Sequence, residues 1–282
     1  MVQAAFGTFP VIAKAALAYL SSTALVGFRV GITAVVLYLF QRSRGELFLK
    51  HREDYVKLAV LSLFGVTFNQ LLFVGGLSMT TASNTSLLAV TIPIFALLIG
   101  LHLGIERLSS TKVMGMILAG AGVVLLIDPR NASFSSRTTL GDLLIIANSL
   151  SYGIYVATSK ETIMRNGAVR SITWIFLFAA AICVPLGFIA MWSVTVSGIP
   201  IEVWAAVLHA GLVATALPYI LNAWALARVA PSTVAVFIYL QPLIGFVTAA
   251  VFLGERIDKN FILASAAIFL GVFLVTKRRA VR

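Results

Sequence analysis

Polar side chains set inside long apolar stretches carry whatever chemistry this sequence can do. Asn148, Tyr152 and Tyr155 are spaced i, i+4, i+7, which puts an amide and two phenols on one face of a helix. Asn69 with Gln70, Asn84, Tyr219 with Asn222, and Tyr239 with Gln241 interrupt other apolar runs in the same way. Such groups can wrap an apolar solute while reading its polar end. Their plainer use is to hydrogen-bond neighbouring helices, a contact worth about 0.6 kcal/mol on average in one membrane protein. Lys14 and Arg29 are the cations nearest to lying within apolar segments, so either could attract a carboxylate or phosphate. A long cationic stem can equally snorkel to an interface. His209 is the main titratable group within a run, and a histidine can exchange a proton near physiological pH or simply bond a neighbour.

Catalysis needs a nucleophile with its base, or clustered metal ligands. The chain has no HExxH pattern, no paired carboxylates near the centre of an apolar run, and three dispersed histidines, His51, His102 and His209. The single cysteine, Cys183, allows neither an intramolecular disulfide nor a cysteine-rich metal site. No catalytic residue, metal or cofactor is therefore expected.

The elements that position these residues follow from composition. Of the 282 residues, 60% are hydrophobic and 11% charged, against about 45–50% and roughly 25% in soluble domains. A hydrocarbon core of ~30 Å needs about 20 apolar residues per helix. Ten such stretches can be marked, at about 1–17, 23–41, 56–77, 82–102, 110–128, 141–159, 171–193, 203–226, 231–253 and 260–277. The expected fold is an all-α integral membrane bundle. Residues 1–17 are read as a first helix that starts about six residues later in its repeat than the sixth does.

The stretches repeat. Pro93 is followed thirteen positions later by Glu106-Arg107, and Pro242 thirteen positions later by Glu255-Arg256. The same register pairs Leu77 with Leu226, Ser83 with Ser232, Gly122 with Gly271 and Leu125 with Leu274. Upstream, Phe6-Gly7 with Lys14 recurs as Tyr152-Gly153 with Lys160. Two units are expected, 1–128 and 141–277, each of five helices; an odd number inverts the second unit in the membrane, as in many secondary transporters. Pro93 and Pro242 each delete a helical hydrogen bond, predicting paired kinks near mid-membrane, with static bends as the alternative. Glu106 and Glu255 end those helices and read as anchoring or gate charges. Gly27/Gly31 and Gly100/Gly104 have GxxxG spacing, which suits intramolecular packing ahead of dimerisation, so a monomer or a homodimer fits.

The net charge of +11 is spread along loops instead of forming a nucleic-acid stripe. Arg42, Arg44, Arg107, Lys112, Arg165, Arg170 and Arg228 are among the many cations on one side of a ten-helix chain, against Arg130, Arg137, Arg256 and Lys259 on the other. The positive-inside rule makes the richer side, with both termini, cytoplasmic. Anionic lipid headgroups are the expected partners of this charge; nucleic acid is not.

The proline, the acidic-basic pair and the glycine-bearing helix that follows, present in 93–126 and again in 242–275, resemble the EamA-like transporters of the drug/metabolite transporter superfamily. Gly7 after an aromatic, Arg29, and Ser151-Tyr152-Gly153 extend the likeness over nearly the whole chain. The chain departs from the family pattern at Ile105, where the second copy keeps Gly254, and in Phe6-Gly7-Thr8-Phe9, which lacks a tryptophan and an asparagine. The resemblance implies ten helices in two inverted repeats, with helices five and ten as packing support around a central cavity. It also implies export of amino acids or related small metabolites across the plasma (inner) membrane. A membrane scaffold or channel subunit, and behind it an intramembrane enzyme, are the competing classes.

Overall fold

A computed structural model of the chain describes residues 1–127, 136–192, 198–253 and 259–276. Among these residues every regular element is helical. The helices are α1 (Val2–Leu17), α2 (Ser22–Ser43), α3 (Arg52–Met79), α4 (82–102), α5 (Ser110–Ile127), α6 (Ser136–Thr158), α7 (Ala168–Met191), α8 (Ile201–Leu226), α9 (231–253) and α10 (Lys259–Thr276). A short helix, Lys160–Asn166, links α6 to α7. Seven of them, α2 to α8, are long and apolar enough to cross a membrane; the apolar stretches of α1, α9 and α10 are shorter. The chain is thus a multi-pass membrane protein, with large side chains such as Ile117, Phe188, Ile189, Leu263 and Phe269 facing outward.

Local chemistry fixes the helix ends. The Ser21 hydroxyl accepts a hydrogen bond from the Ala24 amide at 3.2 Å, and the Thr81 hydroxyl from the Asn84 amide at 3.0 Å, so α2 and α4 begin on side-chain caps. Gly104, at φ +68°, turns the chain out of α4 in a backbone region that side chains disfavour.

Four helices depart from α-geometry, and the departures repeat. In α3 a π-turn occupies Leu63–Thr67, and in α8 another occupies Leu212–Ala216, equivalent positions in the register that pairs Leu77 with Leu226. A π-turn inserts a residue into the hydrogen-bond ladder and frees carbonyl groups for other partners. In α4 the helix breaks at Ala89–Val90, just ahead of Pro93, and in α9 a 3-10 turn over Val236–Tyr239 precedes Pro242. Proline lacks the amide that would continue the ladder, which accounts for both breaks. Val90 and Tyr239 are repeat equivalents, and the Tyr239 hydroxyl donates to the Val90 carbonyl at 3.2 Å, so the two breaks meet.

Packing follows the same symmetry. α2 lies along α7 and α5 along α10, each helix against its own repeat partner. α6 packs on α3 and α4, and correspondingly α1 packs on α8 and α9. Close approach needs glycine: a Cβ on Gly27 would sit 2.7 Å from the Gly187 Cα, and one on Gly271 would sit 2.5 Å from the Gly115 carbonyl oxygen. Gly27 is therefore used within the chain. The main apolar core runs through α1 to α4 and α6 to α9, while α5 and α10 close a smaller cluster around Met116, Val123, Tyr239 and Ile268.

Candidate functional site

Seven helices, α1 to α4, α6, α8 and α9, converge on a central cavity, to whose lining α5, α7 and α10 contribute no residue. It is lined by Phe6 and Phe9 of α1, Arg29 of α2, Asn69, Gln70 and Phe73 of α3, Ala89 and Ile92 of α4, Asn148 and Tyr152 of α6, Tyr219 of α8, and Ile238 and Gln241 of α9. Its volume is about 80 Å³, smaller than the ~300–1,000 Å³ usual for drug-sized ligand sites. Both halves of the chain contribute walls.

One hydrogen-bonded chain crosses it. Asn69 Nδ2 donates to Asn148 Oδ1 at 2.6 Å, the Tyr219 hydroxyl stands 3.1 Å from Asn69 Oδ1, and Gln70 Nε2 donates to the Tyr219 oxygen at 3.0 Å. The Tyr219 hydroxyl donates to the Gly65 carbonyl, 2.8 Å away in the α3 π-turn. Asn222 Nδ2 donates to the Tyr152 oxygen at 2.9 Å, from behind the cavity wall. Gln241 Nε2 donates to Gln3 Oε1 at 2.8 Å and so ties α9 to α1.

Arg29 is 2% exposed and reaches the other π-turn. Its Nε and Nη2 donate to Thr215 Oγ1 at 3.0 and 2.6 Å, Nη2 also approaches the Ala214 carbonyl at 3.4 Å, and Cζ lies 3.7 Å from the centre of the Phe9 ring. Ala214 and Gly65 are repeat equivalents. A carbonyl of each π-turn thus accepts from a side chain of the cavity wall, Gly65 from Tyr219 and Ala214 from Arg29.

The other residues expected in the site lie elsewhere. Asn84 donates to Asp142 Oδ1 and Oδ2 at 3.1 and 3.0 Å at one end of the bundle, where Thr80 Oγ1 also donates to Asp142 at 2.6 Å. Lys14 Nζ lies 3.5 Å from the Thr80 carbonyl at that same end. Its repeat partner Lys160 bonds the Val229 carbonyl at 3.0 Å at the opposite repeat position, so both lysines cap helix ends. Tyr155 is buried beneath Tyr152, its ring against Gly65. Tyr239 sits at the meeting of the two breaks, and His209 is exposed on α8, away from the cavity lining. Glu106 is buried with its carboxylate on Lys112 Nζ at 2.7 Å and on the Ser232 amide and hydroxyl at 2.7 and 2.5 Å. It therefore ties the α4–α5 loop to the start of α9. Glu255 lies outside the described residues.

Phe6, Phe9, Phe73 and Thr215 join the site although an inventory of polar groups passes over them. Asp142, near the start of α6, is missed by an inventory of groups inside apolar runs, although its partner Asn84 is not. Among the described residues no cluster of His, Cys, Asp or Glu is arranged to hold a metal ion.

Fold and cavity together define a polytopic membrane protein with an internal cavity walled by both halves of the chain. The chain belongs to the EamA-like transporter family, whose model matches residues 1–128 and 139–277. It is 28% identical over 227 residues to an uncharacterized transporter of Archaeoglobus fulgidus, covering 80% of this chain and 78% of that one. A WAT1-related protein of Arabidopsis thaliana is 24% identical, with 98% of this chain and 83% of the relative covered. A probable terminal-alkyne amino-acid exporter of Streptantibioticus cattleyicolor is 23% identical, with 80% and 74% covered. A solved structure superimposes with a TM-score of 0.80 at 18% identity, covering 98% of this chain and 93% of that one; at that identity the likeness is one of fold. Family and relatives make this chain a transporter.

Proposed function

We propose that this chain is a secondary carrier of the plasma (inner) membrane that exports an amino acid or a related small metabolite by alternating access. Its units, 1–128 and 141–277, are taken as inverted five-helix bundles, giving ten transmembrane helices with both termini cytoplasmic. The observation that carries the reading is the cavity walled by both repeats at the level of the paired helix breaks. Rocking of one half against the other would open it to one face and then the other. Amino-acid export is supported by one relative's name, and a wall of amides, phenols and a guanidinium suits a small metabolite with a polar or anionic end.

Asn69, Gln70, Asn148, Tyr152, Tyr219 and Gln241 are the residues assigned to solute contact, with Arg29 as the anion-attracting group. Asn222 positions Tyr152 through its hydrogen bond, and Pro93 and Pro242 mark the bending points. The test is flux in proteoliposomes under an imposed solute, proton or sodium gradient. A panel of amino acids, amines and organic acids should include at least one solute that moves with saturation. Tyr152→Ala should cut that flux severalfold while the purified protein keeps its helical content and elution profile. Absence of flux for the whole panel would refute the reading, and non-saturating flux would favour a channel.

A further inference from the structure

Arg29 lines the cavity, and among the described residues no Asp or Glu does. Asp142 is held by Thr80 and Asn84, Glu106 by Lys112 and Ser232, and Asp54 by Arg165 and Asn166, all toward the ends of the bundle. Among the described residues the guanidinium therefore has no carboxylate counter-ion. A buried unpaired charge is costly. Thr215, the Ala214 carbonyl and the Phe9 ring offset part of that cost through Nε, Nη2 and one face of the guanidinium. Nη1 has no hydrogen-bond partner among the described residues.

Two further donors on the wall are in the same state. Asn148 uses its Oδ1 to accept from Asn69, which leaves its Nδ2 hydrogens unspent. The Tyr152 oxygen accepts from Asn222, which leaves its own hydrogen unspent. The lining also includes the apolar Phe6, Phe9, Phe73, Ile92 and Ile238, with Phe9 stacked on Arg29 itself.

We propose that the cavity selects a singly anionic organic acid with an apolar, ring-sized body, its carboxylate taken by Arg29 with Asn148 and Tyr152 and its body by the apolar lining of Phe6, Phe73, Ile92 and Ile238. This rests on the carrier reading above and narrows its solute class: the wall supplies a counter-charge for a carboxylate and none for an ammonium group. Charge-assisted hydrogen bonds are roughly twice as strong as neutral ones, so removing the solute's charge should weaken binding about tenfold.

Binding to the detergent-purified full chain, measured by calorimetry, tests this separately from transport. The probes are 3-phenylpropionate, 3-phenylpropionamide, phenylalanine, phenethylamine and propionate. 3-Phenylpropionate should bind about tenfold more tightly than each of the others, which lack in turn the charge, the net charge, the anion and the ring. Arg29→Gln should bring the acid and the amide within about twofold of each other, whereas Arg29→Lys should keep the acid ahead. Because Arg29 also braces α8, the probe series on the unaltered protein decides the matter even if Arg29→Gln does not fold. No binding of 3-phenylpropionate, equal binding of the acid and its amide, or tighter binding of phenylalanine, phenethylamine or propionate would overturn the assignment. Flux of an amine or zwitterion with these outcomes would leave the carrier reading standing; acid-selective binding without flux of any solute would do the reverse.

Discussion

Glu106 shows how one buried carboxylate can hold a loop against a distant helix. It takes the backbone amide and the hydroxyl of Ser232 together with the ammonium of Lys112, so three donors from two elements depend on it. Glu106→Ala would leave those donors facing a hole. Breaking a buried pair from one side costs about 3–5 kcal/mol, and the partial exposure of Lys112 places this case at the lower end. The thermal unfolding midpoint of the purified variant should fall accordingly, and Glu106→Gln, which can still accept from Ser232, should fall less. Arg29 differs because its partners leave one nitrogen unspent. A purely structural residue would be expected to use its donors more fully.

At the scale of elements, Gly7 and Gly153 are repeat equivalents that let α1 pass α9 and α6 pass α4 beside the prolines. A Cβ on Gly153 would stand 2.8 Å from the Phe95 Cβ and 3.1 Å from the Ala96 amide nitrogen, whereas one on Gly7 would stand 3.2 Å from the Gln241 carbonyl oxygen. Gly153→Ala must therefore move the α4 backbone, and overpacking of this kind costs about 1–3 kcal/mol. Gly7→Ala needs a displacement of a few tenths of an ångström and should cost less. Parallel thermal melts of the two variants check the order, and equal melting points would refute it. The pairing of Gly7 with Gly153 and of Lys14 with Lys160 was legible from spacing alone. The π-turns were not, because Leu63–Thr67 and Leu212–Ala216 carry no glycine or proline pattern in common, and the bonds their carbonyls accept from Tyr219 and Arg29 come from segments far away in the chain.

For the whole molecule, the self-pairing of α2 with α7 and α5 with α10 is the packing expected of two fused copies related by a two-fold axis. The inverted arrangement predicts opposite sidedness for Arg107 and Lys259. With Cys183→Ser as background, a cysteine at position 107 should react with an impermeant maleimide only from the cytoplasmic side, and one at 259 only from outside. Labelling of both from the same side would rule out the inversion.

Composition and spacing alone established a helical membrane protein with a duplicated pattern, since a bilayer admits few ways to bury this much apolar chain and a repeated Pro–Glu-Arg register survives in the letters. Which polar residues share a cavity was decided only in three dimensions. Asn69, Gln70, Asn148, Tyr152, Tyr219 and Gln241 meet there, while His209 turns outward and Lys14 and Asn84 are spent at a helix end. Spacing along a helix says which residues share a face. It does not say which face another helix covers, and that depends on glycine contacts and helix breaks between segments far apart in the chain.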